Sequence, residues 1–307
     1  MSRSCPVCGS SDCARYGTFR DEEYFTSGST FDYWRCQACD CLFLHPLPLD
    51  RLAAIYPPNY YSYAGTDASF IGWIKDRLDA RRFRACLRRI PGESLGVLDV
   101  GGGCGWVLDL IRRIDARVTY TEVVDLDPRA GDEARARGHA YSCVRIEEFE
   151  STRNFDLILL LNLIEHVESP RRVLARLAGR LSPQGLMLVK TPNHASLDAR
   201  LFARSFWAGL HVPRHWTLFT KRSFATLLEG TGLSIDAFSY TQGGAFWAAS
   251  LLAAWHRRGW VRISADRPVV RHPLFPVLAG ITAAFDFLRL PFAPTSQMFI
   301  ILRREKR

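Results

Sequence analysis

From Gly96 onward, short apolar runs alternate with longer stretches in which apolar residues return every three or four positions. Runs at Val97–Val100, Val118–Val124, Phe155–Leu161 and Leu186–Thr191 read as strands, and Trp106–Arg113, Asp127–Arg137 and Arg171–Leu181 as the helices between them. Helices alternating with strands cover both faces of a parallel sheet, so the pattern predicts an α/β, doubly wound, Rossmann-like fold. Upstream, apolar residues at helical spacing among many arginines predict a helix over Phe70–Ile90, stopped by Pro91-Gly92. Nearer the N-terminus, strands are expected around Glu23–Phe25 and Phe31–Arg35. Prolines in Leu42–Pro48 and in the tyrosine-rich Tyr56–Tyr63 predict an irregular connector. Its aromatics either line a substrate cleft or pack the N-terminal segment onto the main domain.

Between Thr241 and Thr295 the rhythm changes. Two aromatic-rich apolar blocks, Ala245–Trp255 and Leu274–Phe285, are each shorter than the roughly 18 to 20 residues a membrane-spanning helix needs. Their flanks carry Arg257, Arg258, Arg262, Arg267, Arg271 and Arg289 against Asp266 and Asp286. Two expectations stay open: a helix pair lying on an anionic membrane face, or a helical cap buried on the sheet.

The chain has 307 residues, 48% apolar and 23% charged, enough for one large domain with an appendage. Its 40 basic and 31 acidic residues give a net charge of +9, which favours anionic partners such as RNA, phospholipid surfaces or phosphorylated substrates. Met1–Cys13 is polar and is followed by Arg, Asp and Glu rather than an apolar core. A cytoplasmic chain is therefore expected, at most peripheral at the cytoplasmic membrane face.

Nine cysteines in such a chain point to ligands or buried thiols rather than disulfides. Cys5-Pro-Val-Cys8 and Cys36-Gln-Ala-Cys39 are two CxxC pairs, each able to offer two thiolates to one tetrahedral Zn2+, with Gly9 and Asp40 following where positive φ is needed. A structural zinc ribbon with ligands Cys5, Cys8, Cys36 and Cys39 is expected. A redox dithiol is the alternative, and Cys13 and Cys41 are spare thiols.

Val97-Leu-Asp-Val-Gly-Gly-Gly-Cys-Gly-Trp106 is a strand ending in an acid and breaking into a glycine loop before a helix. That arrangement lets bare backbone and a helix N-terminus meet a nucleotide cofactor. A dinucleotide fingerprint would need a small residue at position 106, which is Trp106, so NAD and FAD are disfavoured. Roughly 20 residues on, Asp125 follows the apolar pair Val123-Val124, where a carboxylate can accept from ribose hydroxyls. Glu122 and Asp127 take that role if the register slips.

Asp99, Gly101, Gly103 and Gly105 form D-x-G-x-G-x-G, which resembles the first motif of class I S-adenosylmethionine (SAM) dependent methyltransferases. Phe155-Asp156, Glu165-His166 and Pro170 resemble the family segment after the fourth strand. Thr191-Pro-Asn193, Pro213-Arg214-His215 with Phe219, the CPxC ribbon and Tyr56-Pro-Pro-Asn-Tyr60-Tyr61 resemble methyltransferases of polysaccharide and secondary-metabolite glycan pathways. The resemblance covers almost the whole chain and is weakest over 241–295.

It implies a class I methyltransferase sheet, mostly parallel, closed by Leu233–Tyr240 and an antiparallel Gln297–Arg303. It implies SAM held by Asp99, Gly101, Gly102, Gly103 and Gly105, by Asp125 with Leu126 beside it, and by Asn162 near the methionyl end. Some relatives, among them ubiquinone-pathway O-methyltransferases and small-RNA methyltransferases, hold a divalent metal through E-x-x-E-H. Asn162 replaces the first acid here, so a metal is not expected at that position, and His166 is a packing residue or a general base.

Methyl transfer is an in-line displacement at a sulfonium, in which alignment and exclusion of water do most of the work. A sugar hydroxyl is a poor nucleophile at neutral pH, and His215 first, His166 second, are candidates to accept its proton. Arg214 is a candidate partner for a substrate phosphate, and Tyr60 and Tyr61 for the acceptor. The expected activity is methylation of a sugar hydroxyl, less often a sugar carbon or amine, on a small-molecule or lipid-linked acceptor.

Two alternatives are an RNA methyltransferase gripping phosphates with its ribbon, and a catalytically idle SAM fold serving as an interaction partner. No aromatic-plus-basic stripe or N-P-P-Y motif favours RNA. The expected domains are 1–48 (ribbon), 49–95 (connector and helix), 96–240 (SAM-binding core), 241–295 (apolar helical insertion) and 296–307 (closing strand).

Overall fold

The computed structural model describes residues 4–56 and 70–305. In chain order the N-terminal part contributes β1 (Cys13–Phe19), β2 (Phe31–Cys36), β3 (Leu42–Leu44), α1 (Leu52–Ile55) and α2 (Phe70–Leu87). The alternating part follows with β4 (Leu95–Val100), α3 (Trp106–Ile114), β5 (Val118–Asp125), α4 (Pro128–Ala136), β6 (Ala140–Cys143), β7 (Phe155–Leu161), α5 (Pro170–Ala178) and β8 (Leu181–Pro192). Then come α6 (Leu197–Phe202), β9 (Thr217–Leu218), α7 (Lys221–Leu228), β10 (Leu233–Thr241), α8 (Gly244–Arg257), α9 (Phe275–Arg289) and β11 (Gln297–Arg304).

The larger sheet has the order β10-β11-β8-β7-β4-β5-β6. Its pairings are parallel except where β11 runs antiparallel to both β8 and β10, which is the expected closing strand. Adjacent residues point to opposite faces of a strand. Leu98, Ile158, Leu160, Met187 and Val189 therefore enter one core, with α5 and α7, while Val97, Leu157, Leu159, Leu186 and Leu188 enter the other, with α2 and α3. Such two-sided burial explains why these strands read as unbroken apolar runs. In α3, Val107, Leu108, Leu110 and Ile111 are buried, so a single stripe holds the helix that follows the glycine loop against the sheet.

The smaller sheet, β1-β2-β3-β9, is antiparallel. It corrects three expectations. Glu23–Phe25 is not a strand, because the Asp21 carboxylate draws the backbone N–H groups of Glu23, Tyr24 and Thr26 to itself and Phe25 turns to φ 54°. Leu42–Leu44, expected to be irregular, joins β2 to β9. The ribbon is also not confined to 1–48, since β9 comes from the far side of the chain, pairing Leu42 with Leu218 and Phe43 with Thr217. In addition, β6 and β1 were not anticipated, and α5 ends at Ala178, so that Leu181 begins β8 rather than ending a helix.

The segment between β10 and β11 is a helix pair, as expected. A Cβ on Gly244 would stand 2.2 Å from the Ala279 carbonyl oxygen, so α8 and α9 cross where only glycine fits. Trp247, Ala249, Leu252 and Ala253 of α8 are buried, the last three in one cluster with Phe206, Ala208, Ile263 and Val269. Among the described residues, no helix is long and apolar enough to cross a membrane.

Candidate active site

In an open parallel sheet, ligands meet the carboxyl ends of the strands, where the loops diverge. Here β4 leads into Gly101–Gly105 and then α3. Gly101, Gly103 and Gly105 have φ of 75°, 54° and 79°, values that side chains resist. A Cβ on Gly102 would lie 2.6 Å from Asp99 Cγ, and one on Gly105 2.4 Å from the His139 ring. The loop therefore presents bare backbone beside the N-terminal end of α3, where positive potential collects.

Asp125, at the end of β5, accepts the N–H of Gly103 at 2.8 Å and that of Leu126 at 2.6 Å. The two alternative acids face elsewhere: Glu122 accepts from Tyr120 and Ser142, and Asp127 caps α4. Leu126 is exposed next to Asp125. Asp99 is buried, and its Oδ2 has no hydrogen-bond partner. Burial, with the nearby Asp125 charge, pushes the Asp99 carboxyl up to about 8. An orphaned acid behind a cradle of bare backbone fits a ligand that carries positive charge.

Past β7, Asn162 adopts φ 58°, and its Oδ1 accepts from Gln297 at the start of β11. Leu163 lies against the glycine loop, since a Cβ on Gly101 would meet its Cδ1 at 2.8 Å. The next turn then delivers Glu165 and His166. Glu165 is buried; its Oε2 accepts from Thr191, while Oε1 has no partner and lies 3.9 Å from His215 Nε2. The ligating atoms of Glu165, His166 and His215 all fall within 4.8 Å of one another.

Both rings are oriented from behind. His215 Nδ1 lies 2.7 Å from the Gly209 carbonyl, and His166 Nδ1 lies 3.0 Å from the Arg214 carbonyl. Each contact leaves Nε2 as the acceptor. Burial, helped by neighbouring histidines, holds His166 down to about 3 and His215 well below the usual imidazole range, and burial pushes Glu165 up to about 8. The cluster is thus electrically neutral around pH 7.

The ribbon reaches this cluster. His211 packs edge-on to tilted against His166 and His215, and its Nδ1 meets the carboxylate of Glu23. Tyr33 on β2 donates to the His215 carbonyl. The expectation that Arg214 pairs with a substrate phosphate is corrected: its side chain is 0% exposed and is engaged by Asp21, Thr26 and the carbonyls of Ile55 and Val212. Tyr60 and Tyr61 lie outside the described residues.

At the other end of the ribbon, the thiols of Cys5, Cys8, Cys36 and Cys39 lie within 4.8 Å of one another. Cys5 to Cys39 is 3.6 Å and Cys8 to Cys36 is 3.5 Å, the spacing of four sulfurs around one tetrahedral ion. Each CxxC turn closes as a knuckle, with Gly9 donating to the Cys5 carbonyl and Asp40 to that of Cys36, at φ of 76° and 67°. Cys41 lies 3.2 Å from Cys5, a fifth sulfur beside the set.

The sheet order, the glycine loop and its paired acids define a class I methyltransferase fold. Comparison with known proteins agrees. A family model described as a methyltransferase domain matches residues 73–237, more than half of the chain. The chain is similar to the ubiquinone biosynthesis O-methyltransferase of Bradyrhizobium diazoefficiens, 33% identical over 191 residues, covering 55% of this chain and 73% of that protein. It is also similar to the protein of the same name from Rhodopseudomonas palustris strain BisB5, 31% identical over 182 residues, covering 54% and 68%.

Among solved structures, a candidate sarcosine dimethylglycine methyltransferase from Galdieria sulphuraria aligns with a TM-score of 0.50 at 13% identity. That alignment covers 77% of this chain and 86% of the other, a likeness of fold alone. The chain belongs to the methyltransferase domain family and is a SAM-dependent methyltransferase.

In the sequence His166 and His215 stand apart as candidates and Glu165 has no role; the fold brings the three together. The adjacent Glu165-His166 pair was the available signal, obscured by the Asn162 departure. His211 and Glu23 are 188 residues apart, and no spacing rule connects them.

Proposed function

We propose that the chain transfers the methyl group of SAM to a hydroxyl group, that of a sugar on a nucleotide- or lipid-linked glycan intermediate. The observation that carries the hydroxyl assignment is the Glu165–His166–His215 set, which follows the Leu163 that lies against the glycine loop. A neutral hydroxyl is a weak nucleophile that must shed its proton as the new bond forms, and an unprotonated base within reach serves that step. His215, with Nδ1 committed to Gly209, offers Nε2 as the acceptor, and its lowered pKa keeps that nitrogen unprotonated at neutral pH. When bound, SAM supplies the electrophilic methyl. Asp99, Gly101, Gly102, Gly103, Gly105, Asp125, Leu126 and Asn162 are the residues proposed to hold it. Zn2+ is proposed for Cys5, Cys8, Cys36 and Cys39 as a structural ion, since four thiolates leave no open position.

A second reading of the same cluster is favoured by the unpartnered Oε1 of Glu165: a divalent cation held by Glu165, His166 and His215. Such a cation, when bound, lowers the pKa of a coordinated hydroxyl. After chelation, activity restored by Zn2+ alone selects the histidine base; activity that returns only with added Mg2+ or Mn2+ selects the cation.

The acceptor is tested by incubating purified protein with methyl-labelled SAM and cell extract, then separating lipid, sugar-nucleotide and RNA fractions. Label in the first two that vanishes with Asp125→Ala supports the glycan reading. Label retained on a lipid after its sugar is hydrolysed away points to a hydroxyl outside the sugar, in keeping with the ubiquinone biosynthesis O-methyltransferases that the chain resembles. Label in RNA overturns the proposal, as does cofactor binding without turnover.

A further inference from the structure

The solvent-facing side of α9 is apolar along its whole length. Val277, Ile281, Phe285 and Leu288 recur at helical spacing, Phe292 follows just beyond, and Phe287 stands beside them. Leu288 is 71% exposed, Phe292 87% and Ile281 63%. The helix has two charged residues, Asp286, which is buried, and Arg289, which is paired with it. A helix that packs on one side only would ordinarily carry charge on the other.

The linker before α9 is its complement. Arg258, Arg262, Arg267 and Arg271 are exposed there, with Asp266 as the exposed acid among them. We propose that this face docks on an anionic phospholipid surface, α9 lying in the plane of the interface with its apolar side among the acyl chains and the arginines at the phosphates.

Three observations favour this occupant. The helix is too short to cross a bilayer, so the exposed stripe suits shallow burial. The exposed charge on the linker that leads into it is cationic, as an anionic surface requires. In a symmetric pair of chains the same patch meets itself, and these arginines would face one another with few acids to meet them.

The placement is also suited to the chemistry. α8 and α9 leave the sheet after β10, which runs parallel to β8, so they rise from the same carboxyl end of the sheet as the glycine loop after β4. Asp286 fastens α9 there by accepting from Ser296 Oγ and the Gly243 N–H.

The test is co-sedimentation of the full chain with phosphatidylcholine vesicles, made with and without phosphatidylglycerol, alongside light scattering of the protein alone. No methyl transfer is read, so the result is separate from the acceptor assignment. The wild-type chain is expected to sediment with the phosphatidylglycerol vesicles only. Arg262→Ala with Arg267→Ala and Arg271→Ala is expected to lower partitioning roughly a hundredfold. Ile281→Glu with Leu288→Glu is expected to lower it at least roughly tenfold with an unchanged circular dichroism melt. Sedimentation that ignores phosphatidylglycerol or survives the glutamates overturns the proposal. So does a dimer in solution that the glutamates dissociate while no vesicle binding is seen.

Discussion

The Asp21 carboxylate and the Arg214 guanidinium, 193 residues apart in sequence, meet at 2.9 Å with neither side chain exposed. Removing one partner of such a pair strands the other charge in the interior. Asp21→Ala is expected to cost about 3–5 kcal/mol in urea denaturation. Arg214→Met, which removes the charge and keeps bulk, is expected to do better in the Asp21→Ala background than alone. Because the Arg214 carbonyl orients His166, methyl transfer should fall with Asp21→Ala even where the protein remains folded.

The same pair sets an acid limit. Burial raises the Asp21 pKa, but the Arg214 charge and the hydrogen bonds from Arg214 and Thr26 outweigh it and hold the carboxyl down to about 2. A depressed pKa stabilises the fold above the unfolded value near 4, and the contribution disappears as pH falls from there toward 2, about 2 kcal/mol in all. Chemical denaturation at pH 5 and pH 2.5 should differ less in Asp21→Asn than in the wild type.

Asp99 has the opposite sign. With its carboxyl pushed up to about 8, the folded state holds a proton that the unfolded state releases near 4. Stability therefore declines between pH 4 and 8, by up to about 1.4 kcal/mol per pH unit from this group. Asp99→Asn should stabilise the ligand-free protein more at pH 8 than at pH 5, measured by thermal melts. It should also weaken SAM, and calorimetry in buffers of different ionisation enthalpy should show that the wild type releases a proton on binding the cation and the variant does not.

If His215 accepts the hydroxyl proton, His215→Ala should lower kcat by about 10² to 10⁴ with little change in SAM affinity. Glu165→Gln separates the two readings of the cluster. It keeps a neutral side chain of similar size and should be mild for a histidine base, but it removes an anionic ligand and should be severe for a cation site.

Cys36→Ser removes one thiol of the four while sparing the methyltransferase sheet. The expected outcome is loss of about one bound zinc per chain by elemental analysis, together with a marked fall in activity. A ribbon that is merely appended would leave turnover unchanged. Here Glu23, Asp21 and Tyr33 hold His211, Arg214 and the His215 carbonyl, so the loss should be transmitted.

Most of the doubly wound sheet was legible because β4, β7 and β8 are buried on both faces and so read as continuous apolar runs. The geometry of the glycine loop and the place of Asp125 at the end of β5 were legible because a strand breaking into bare backbone before a helix leaves a local pattern. What escaped was local structure overruled by distant partners. β1 has mixed exposure and little apolar periodicity, β3 is three residues long, and the 21–26 loop is shaped by one carboxylate gathering N–H groups. Arg214 looked like a substrate ligand because it adjoins His215 in a recognisable motif, but a motif does not say which way a guanidinium turns.

The late arrival of β9 has a consequence for synthesis. A ribosome adding roughly 5–20 residues each second would release Asp21 some ten to forty seconds before Arg214 exists to neutralise it. During that interval the nascent N-terminal segment can gather a metal ion but cannot complete its sheet or bury its acids. With Zn2+ bound as proposed, its knuckles would act as an early tether, keeping two strands in register until the last third of the chain closes over them.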